Sequence, residues 1–479
     1  MKRIILFGAS LVGKYAYENL ISIGITDIEY FVDNDINKTG KYLFGVEIKR
    51  PDVLLKINKP DYLVIICSMY YKEISDQLIG YGFIEDVDYV EIEQYLFNYV
   101  IENISIFKGR VSSPSTYTYG ENRNKIMITL PSGFTLGGLE TMAIGIYNEL
   151  KKKGFDVKIL NLYPETETPQ DYCVFDDDVF YLEKSNSFFE YMTELCNIIA
   201  AYDPEYVISN NPSKVVLAVY ILNRITPLSI RVVSVLHGNS ENIYRINSWY
   251  NQYVYKFICV SHEISDFLKA RIPHRIDSIY VMPNPLDFSC SPFKIHKYDK
   301  TQVRIAFAGR ITVNDKRCDL LIDLITILES KCVNYQLNVA GDGYFFGSIE
   351  SFVQKNNLDN KVKLLGLVDS TKMDNFYNKS DIYLNLSDSE GTCMCMLEAM
   401  KNGLVPVVTN VSGVRHFVED GVNGFIFPTG DASKAADIIE NIYHDMGILE
   451  PWSIRNRKIV EQKANIDDYI GALIGDVLK

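Results

Sequence analysis

Residues 387–400 read SDSEGTCMCMLEAM, and their pattern decides how the chain is understood. Glu390 and Glu398 stand eight positions apart, across a turn of acids and glycine and into an apolar run rich in Ala and Met. The preceding DIYLNLSD (381–388) has the composition of a buried strand. Glu390 is therefore expected at a strand-to-helix turn and Glu398 about two turns into the helix. Eight helical steps would separate them by roughly 12 Å at about 1.5 Å rise per residue. The first N–H groups of such a helix, near Cys393 to Cys395, lack intrahelical acceptors and suit a diphosphate. A nucleotide sugar has that length, with one carboxylate reading sugar hydroxyls and the other the ribose diol.

Working outward, strands and helices alternate in three blocks, the pattern of parallel, doubly wound α/β sheets. The first, 1–99, contains KRIILFGAS, VGKYAYENLISIG, IEYFVDND and DYLVIICS. Residues 100–124, with KGRVSSPSTYTYGENRN, are polar and read as a linker. The second block, 125–298, begins at KIMITLPS and passes through YVISN, VVSVLHGNS and YKFICVSH to VMPNPLDFS. The third, 299–456, holds VRIAFAGRI, YQLNVAGDG, VKLLGLVD, DIYLNLSD and VPVVTN; residues 457–479 read as helical.

The ordered motifs AFAGRI, VAGDG, LLGLV, EG…LEAM and GVNGFIF resemble those of the retaining nucleotide-sugar glycosyltransferases of the GT-B fold, family four. The resemblance covers about residues 124–470. It implies two Rossmann-like domains facing a cleft, 125–298 on the acceptor side and 299–456 holding the donor, with the last helix crossing back. In such enzymes Arg310 and Lys316 neutralise the leaving diphosphate, whose charge grows as the sugar bond breaks. Arg offers a planar fork and Lys a point charge. Glu390 is expected on the donor sugar, Glu398 on the ribose, and the backbone of Thr392, Cys393, Met394 and Cys395 on phosphate. Gly341 and Gly343 would shape the loop beside the base, with Gly366 to Val368 lining its pocket. In SGFTLGGLETM, Gly137 and Gly138 fall at the first βα loop, where open parallel sheets place ligands. His237 is expected near the reaction centre, and His262 to open a helix with Ser261. Thr392 stands where many relatives carry an aromatic residue. Ser412 and His416 depart from a Gly-Gly-x-x-Glu run. Block 1–99 resembles the small Rossmann-like domains that accompany bacterial polysaccharide enzymes; there Gly8, Gly13 and Asp33 form a candidate ligand site, and an assembly role stays open.

Size and composition narrow the alternatives. At 479 residues the chain exceeds one core. Its net charge of −13 argues against a nucleic-acid partner. No apolar run of about 18 residues is present to span a bilayer. Nine scattered cysteines without a CxxC pair suit free thiols in a reducing cytoplasm. The sequence thus predicts a cytoplasmic transferase that needs no cofactor and no metal. Its partners are a nucleotide-sugar donor and a glycan, lipid-linked or protein acceptor. Contact with the inner membrane face, for which Lys151 to Lys153 are candidates, stays open, as does oligomerisation. A non-catalytic GT-B-like subunit and an NAD-linked oxidoreductase are the competing classes. The first is opposed by intact Glu390, Glu398, Arg310 and Lys316. The second is opposed by the missing middle glycine between Gly8 and Gly13.

Overall fold

The computed structural model describes residues 2–112, 124–134, 137–163, 176–183, 185, 187–210, 212–289 and 301–479. They form two compact units. One gathers Met1–Tyr117, Leu182–Asp203 and Leu217–Ser229; the other gathers Thr118–Tyr181, Pro204–Val216 and Ile230–Lys479.

The first unit is built on β1 (Arg3–Phe7), β2 (Ile28–Val32), β3 (Tyr42–Leu43), β4 (Val46–Lys49), β5 (Tyr62–Ile66) and β6 (Tyr89–Glu91). Their order is β3-β4-β2-β1-β5-β6, and only the β3–β4 pair is antiparallel. Ile5, Phe7, Tyr30, Val32, Val64 and Ile66 fill the core under the helix Tyr71–Gly80, which contributes Ile74 and Leu78. The sequence placed a linker from residue 100. The structure instead carries the helix Ile92–Glu102 and a 3-10 turn Ile104–Phe107 into that span, with Phe107 fully buried. The physical reason is Phe107 itself, whose ring stacks 5.8 Å from Phe189 on the helix Phe188–Tyr202. Residues 113–123 of the expected linker lie outside the described residues.

The second unit carries two sheets. One contains β7 (Lys125–Leu130), β8 (Asp156–Asn161), β9 (Val179–Tyr181), β10 (Tyr206–Ser209), β11 (Arg231–Leu236), β12 (Lys256–Cys259) and β13 (Ile279–Val281) in the order β13-β12-β11-β10-β7-β8-β9. The other contains β14 (Val303–Ala308), β15 (Tyr335–Ala340), β16 (Val362–Leu364), β17 (Ile382–Asn385), β18 (Val405–Thr409) and β19 (Phe425–Phe427) in the order β16-β15-β14-β17-β18-β19. Both are parallel throughout. This is the α/β class with an additional Rossmann-like sheet that the sequence predicts.

Strand alternation divides the core of the last sheet into two layers. Val303, Ile305 and Phe307 face one layer with Leu321, Leu324 and Ile439, while Ala306 and Ala308 face the other with Met396, Leu397 and Met400. Small residues on that second face let the helix Met394–Lys401 lie close to the strand ends, which sets the site. The final turns pack on the sheet that contains β10 and β12: Tyr206 Oη donates to the Leu478 carbonyl at 3.0 Å and Lys256 Nζ to that of Asp476 at 2.6 Å.

Candidate active site

β17 ends at Asn385, and the chain turns through Ser387 and Glu390 before the helix begins at Met394. The turn means that only part of the Glu390–Glu398 interval is helical. Three donors converge on one oxygen of Glu390: Lys316 Nζ at 2.5 Å, Ser387 Oγ at 2.8 Å and Asn385 Nδ2 at 3.4 Å. Asn385 is itself fixed, its carbonyl oxygen accepting from Ser387 N–H at 2.7 Å and Thr409 Oγ1 at 3.2 Å. Burial disfavours the charged Lys316, but the facing Glu390 carboxylate outweighs it and holds the ammonium protonated well above the usual lysine range. The sequence treats Lys316 as a cation for phosphate; here it is an ion-pair partner of Glu390. Arg310 is exposed and has no ion-pair partner among the described residues.

No side chain caps the helix Met394–Lys401. Its N-cap residue, Cys393, turns its thiol inward to Asn385 Nδ2 at 3.2 Å and Tyr383 Oη at 3.4 Å. Burial pushes the Cys393 and Cys395 thiols up, which favours their neutral forms. Glu398 accepts from Tyr377 Oη at 3.0 Å. Its burial raises the carboxyl pKa to about 7 despite that bond and the charge of Lys401.

The loops after β14, β15 and β16 meet through backbone hydrogen bonds. Ile311 N–H donates to the Asp342 carbonyl at 2.9 Å and Gly341 N–H to that of Gly366 at 2.7 Å. A Cβ on Gly341 would stand 1.8 Å from the Gly309 carbonyl oxygen. Gly343 lies in the same turn, next to Tyr344, which with Leu365 and Leu367 presents exposed apolar surface. A nucleobase can stack or pack on such surface.

The sheet that contains β11 lies against the turn at Gly391. His237 follows β11, and its Nε2 lies 2.8 Å from Asn210 Oδ1. Asn210 Nδ2 donates to the Thr129 carbonyl at 2.8 Å, so the Asn210 oxygen faces the ring and the proton sits on Nε2. Burial lowers the His237 pKa to about 4, and the imidazole is neutral at neutral pH. A Cβ on Gly391 would lie 1.8 Å from the His237 carbonyl oxygen. One on Gly138 would lie 2.8 Å from Met394 Cγ, so the glycine helix start at Gly137–Gly138 abuts the other helix start. The structure thus brings Gly138 against Met394, Gly391 against His237 and Lys316 against Glu390. His262 opens the helix His262–Arg271, capped by Ser261.

Asn385, Ser387, Tyr377 and Asn210 escaped the sequence reading. Asn385 alone left a signal, as an amide inside the apolar strand DIYLNL. Lys151 and Lys153 pair with Asp178 at 2.7 Å and Asp467 at 3.9 Å, and Lys152 pairs with Glu149. These side chains stay partly exposed to solvent, as lysines at a helix end commonly do. In the first unit, Asp33 accepts from Ala9 N–H at 2.8 Å, Asp35 N–H at 2.9 Å and Lys38 Nζ at 2.9 Å. Burial opposes its charge, but these bonds outweigh burial and hold it below the ordinary carboxylate range. Its oxygens serve the protein's own loop. Gly13 packs on the Gly8 carbonyl oxygen, 2.0 Å from where a Cβ would be, so these glycines bring helix and strand together.

Residues 292–459 match the family described as Glycosyl transferases group 1, residues 136–289 Glycosyltransferase Family 4, and residues 1–87 C2185-like, N-terminal. An uncharacterized glycosyltransferase of Methanocaldococcus jannaschii, MJ1178, is 29% identical over 226 residues, 45% of this chain and 60% of that protein. The amylovoran biosynthesis glycosyltransferase AmsK of Erwinia amylovora is 26% identical over 169 residues, 34% of this chain and 41% of that protein. The chain thus spans about half the length of these relatives. The crystal structure of Anabaena Alr3699/HepE in complex with UDP and glucose shares the fold at a TM-score of 0.60 and 16% identity, covering 73% of this chain and 98% of that one.

Proposed function

The chain belongs to the family-four type of GT-B glycosyltransferases, and from that premise we propose that it moves a sugar from a nucleoside-diphosphate donor to a hydroxyl acceptor with retention at the anomeric carbon. The observation that carries this reading is the Glu390 cluster at the uncapped helix start. An oriented carboxylate and free N–H groups lie within one stretch of chain, and Lys316, distant in sequence, is folded against that carboxylate. Donor diphosphate at Met394 and Cys395 N–H would draw Lys316 from Glu390, leaving the carboxylate to accept from sugar hydroxyls. Glu398, held through one oxygen by Tyr377, offers the other to the ribose.

In the proposed reaction the bond between the anomeric carbon and the diphosphate oxygen breaks, and the electron pair leaves with the diphosphate. The acceptor oxygen bonds to the same face of the oxocarbenium-like centre, and its proton passes to the departing phosphate oxygen. Arg310, Lys316 and the helix start stabilise the charge that grows there. Charge is met by these groups alone, so the reaction as proposed needs no metal. Neutral His237 spends its one N–H on Asn210 Oδ1, so it offers the substrate Nδ1 as an acceptor and does not act as a cation. Polysaccharide or glycoconjugate assembly is the proposed setting, supported by likeness to the amylovoran biosynthesis enzyme.

A thermal-shift screen with UDP, GDP, dTDP and their sugars tests donor binding, and NMR of the product anomer tests retention. A folded protein that binds none of them, or a product of inverted configuration, overturns the corresponding part. Activity should persist in EDTA; a loss reversed by added metal contradicts the metal-free reading.

A further inference from the structure

Three of the sequence departures, Thr392, Ser412 and His416, meet the acceptor-side sheet at one place. Thr392 Oγ1 donates to the Val260 carbonyl at 2.6 Å. Ser412 Oγ and Ser261 Oγ lie 2.8 Å apart. The next residue, Gly413, donates its N–H to Glu263 Oε2 at 3.2 Å. The His416 and His262 rings follow, with centroids 5.2 Å apart. Val260, Ser261, His262 and Glu263 are consecutive, so a single segment after β12 receives all four contacts.

We propose that Thr392 and Ser412 are positioning residues that latch the donor-side loops to this segment and set the register between Glu390 and His237. The argument rests on covalent neighbours. Thr392 follows Gly391, which packs on the His237 carbonyl, and Gly391 follows Glu390. Thr392 and Ser412 are both buried. In such a place a hydroxyl without a partner is costly, so each bond favours the one arrangement that satisfies both sides. Gly413 also packs on the 391–392 turn: a Cβ there would lie 2.6 Å from the Gly391 carbonyl oxygen. The two latch contacts therefore brace one another. The consequence for chemistry is that the loop bearing Glu390 is held against the loop bearing His237, which limits water while the sugar is transferred. This rests on the transferase reading for its catalytic consequence, not for the latch itself.

The test compares wild type with Thr392→Val, Thr392→Ser, Ser412→Ala and the double variant Thr392→Val/Ser412→Ala. Four readouts are taken: UDP affinity, kcat for transfer, the share of donor lost to hydrolysis, and amide exchange over 260–264 and 411–414. UDP and UDP-glucose are the first probes, replaced by the nucleotide and sugar that the thermal-shift screen selects. Misplacing a reacting wall by about 1 Å costs up to roughly 100-fold. Thr392→Val and Ser412→Ala should therefore each lower kcat about tenfold or more, raise the hydrolysis share, and keep nucleotide affinity within about twofold. Thr392→Ser should restore kcat, and amide exchange should rise in both segments together. Wild-type kcat and exchange in both variants overturn the latch. So does a loss of nucleotide affinity in step with kcat, which would mark these residues as donor-domain packing only. If wild type turns over no donor, the transferase reading fails by itself, and coupled exchange in the two segments decides the latch.

Discussion

Glu398 has its carboxyl pKa raised by burial from 4.5 to about 7. A carboxyl whose folded pKa is raised binds its proton more tightly in the folded state, so its stabilising effect is present below about pH 4.5 and lost as pH rises to 7. Glu398→Gln should flatten that fall in stability, measured by chemical denaturation between pH 4.5 and 8. If Glu398 holds the ribose as proposed, nucleotide affinity draws on its ionised form, and wild type should bind more tightly as pH rises through about 7. In the substituted protein, loss of a charge-assisted hydrogen bond should cost about 1.5–3 kcal/mol, roughly tenfold or more in affinity, with this pH dependence gone. Unchanged affinity in folded Glu398→Gln removes the ribose assignment. Lys316→Ala and Arg310→Ala act on charge that develops in the transition state, so each should reduce kcat by roughly 100-fold while saturating donor concentrations fail to rescue it. Near wild-type turnover in both would refute the leaving-group role.

The strand-and-helix unit β17 to Met394–Lys401 depends on two features beyond its apolar pattern. One is Asp381 at the strand start, fully buried, which accepts from Arg304 N–H at 2.8 Å and from Arg304 Nε at 3.1 Å. Asp381→Ala leaves the Arg304 N–H and a partly exposed guanidinium without this acceptor, and should cost about 1–3 kcal/mol in denaturant unfolding. The other is the close approach at Gly391. Gly391→Ala puts a methyl into the His237 carbonyl and should lower kcat while leaving UDP affinity nearly intact. The same ratio measured for Gly138→Ala, whose neighbour is the flexible Met394 side chain, should be milder.

At the scale of the whole molecule, the first compact unit is not closed by residue 99. Phe188 N–H donates to Asn19 Oδ1 at 2.6 Å, Ser112 N–H to Asn197 Oδ1 at 2.8 Å, and Phe189 packs on both Tyr99 and Phe107. A chain starting near residue 110 would keep the donor cleft residues but strip the partners of Phe188 and Phe189. It should bind nucleotide, yet unfold at a temperature several degrees lower and bind a hydrophobic dye more strongly than the full chain. Equal thermal midpoints would mean that these aromatic contacts carry no stability. Among the described residues no helix is long and apolar enough to cross a membrane.

The α/β class, the order of strand blocks and the Glu390–Glu398 pair were legible in the chain itself. Parallel buried strands are continuous apolar runs, and the turn after DIYLNLSD is announced by acids and glycine. The same stretch could not show that Lys316 faces Glu390. Seventy-four positions separate the two, and only the pairing of β14 with β17 brings their loops together. Nor could it show that Asp33 is satisfied by its own loop, that Lys151 to Lys153 are paired, or that Phe107 ends a buried segment. Each depends on a partner distant in sequence or on the fold of a loop. The latch is the clearest instance: Thr392 and Ser412 read as departures from a pattern, and their hydroxyls acquire a purpose only where the Val260–Glu263 segment lies against them. Local periodicity is set by the backbone and can be read from one segment, whereas ion pairs and hydrogen bonds across a cleft exist only once two segments are folded together.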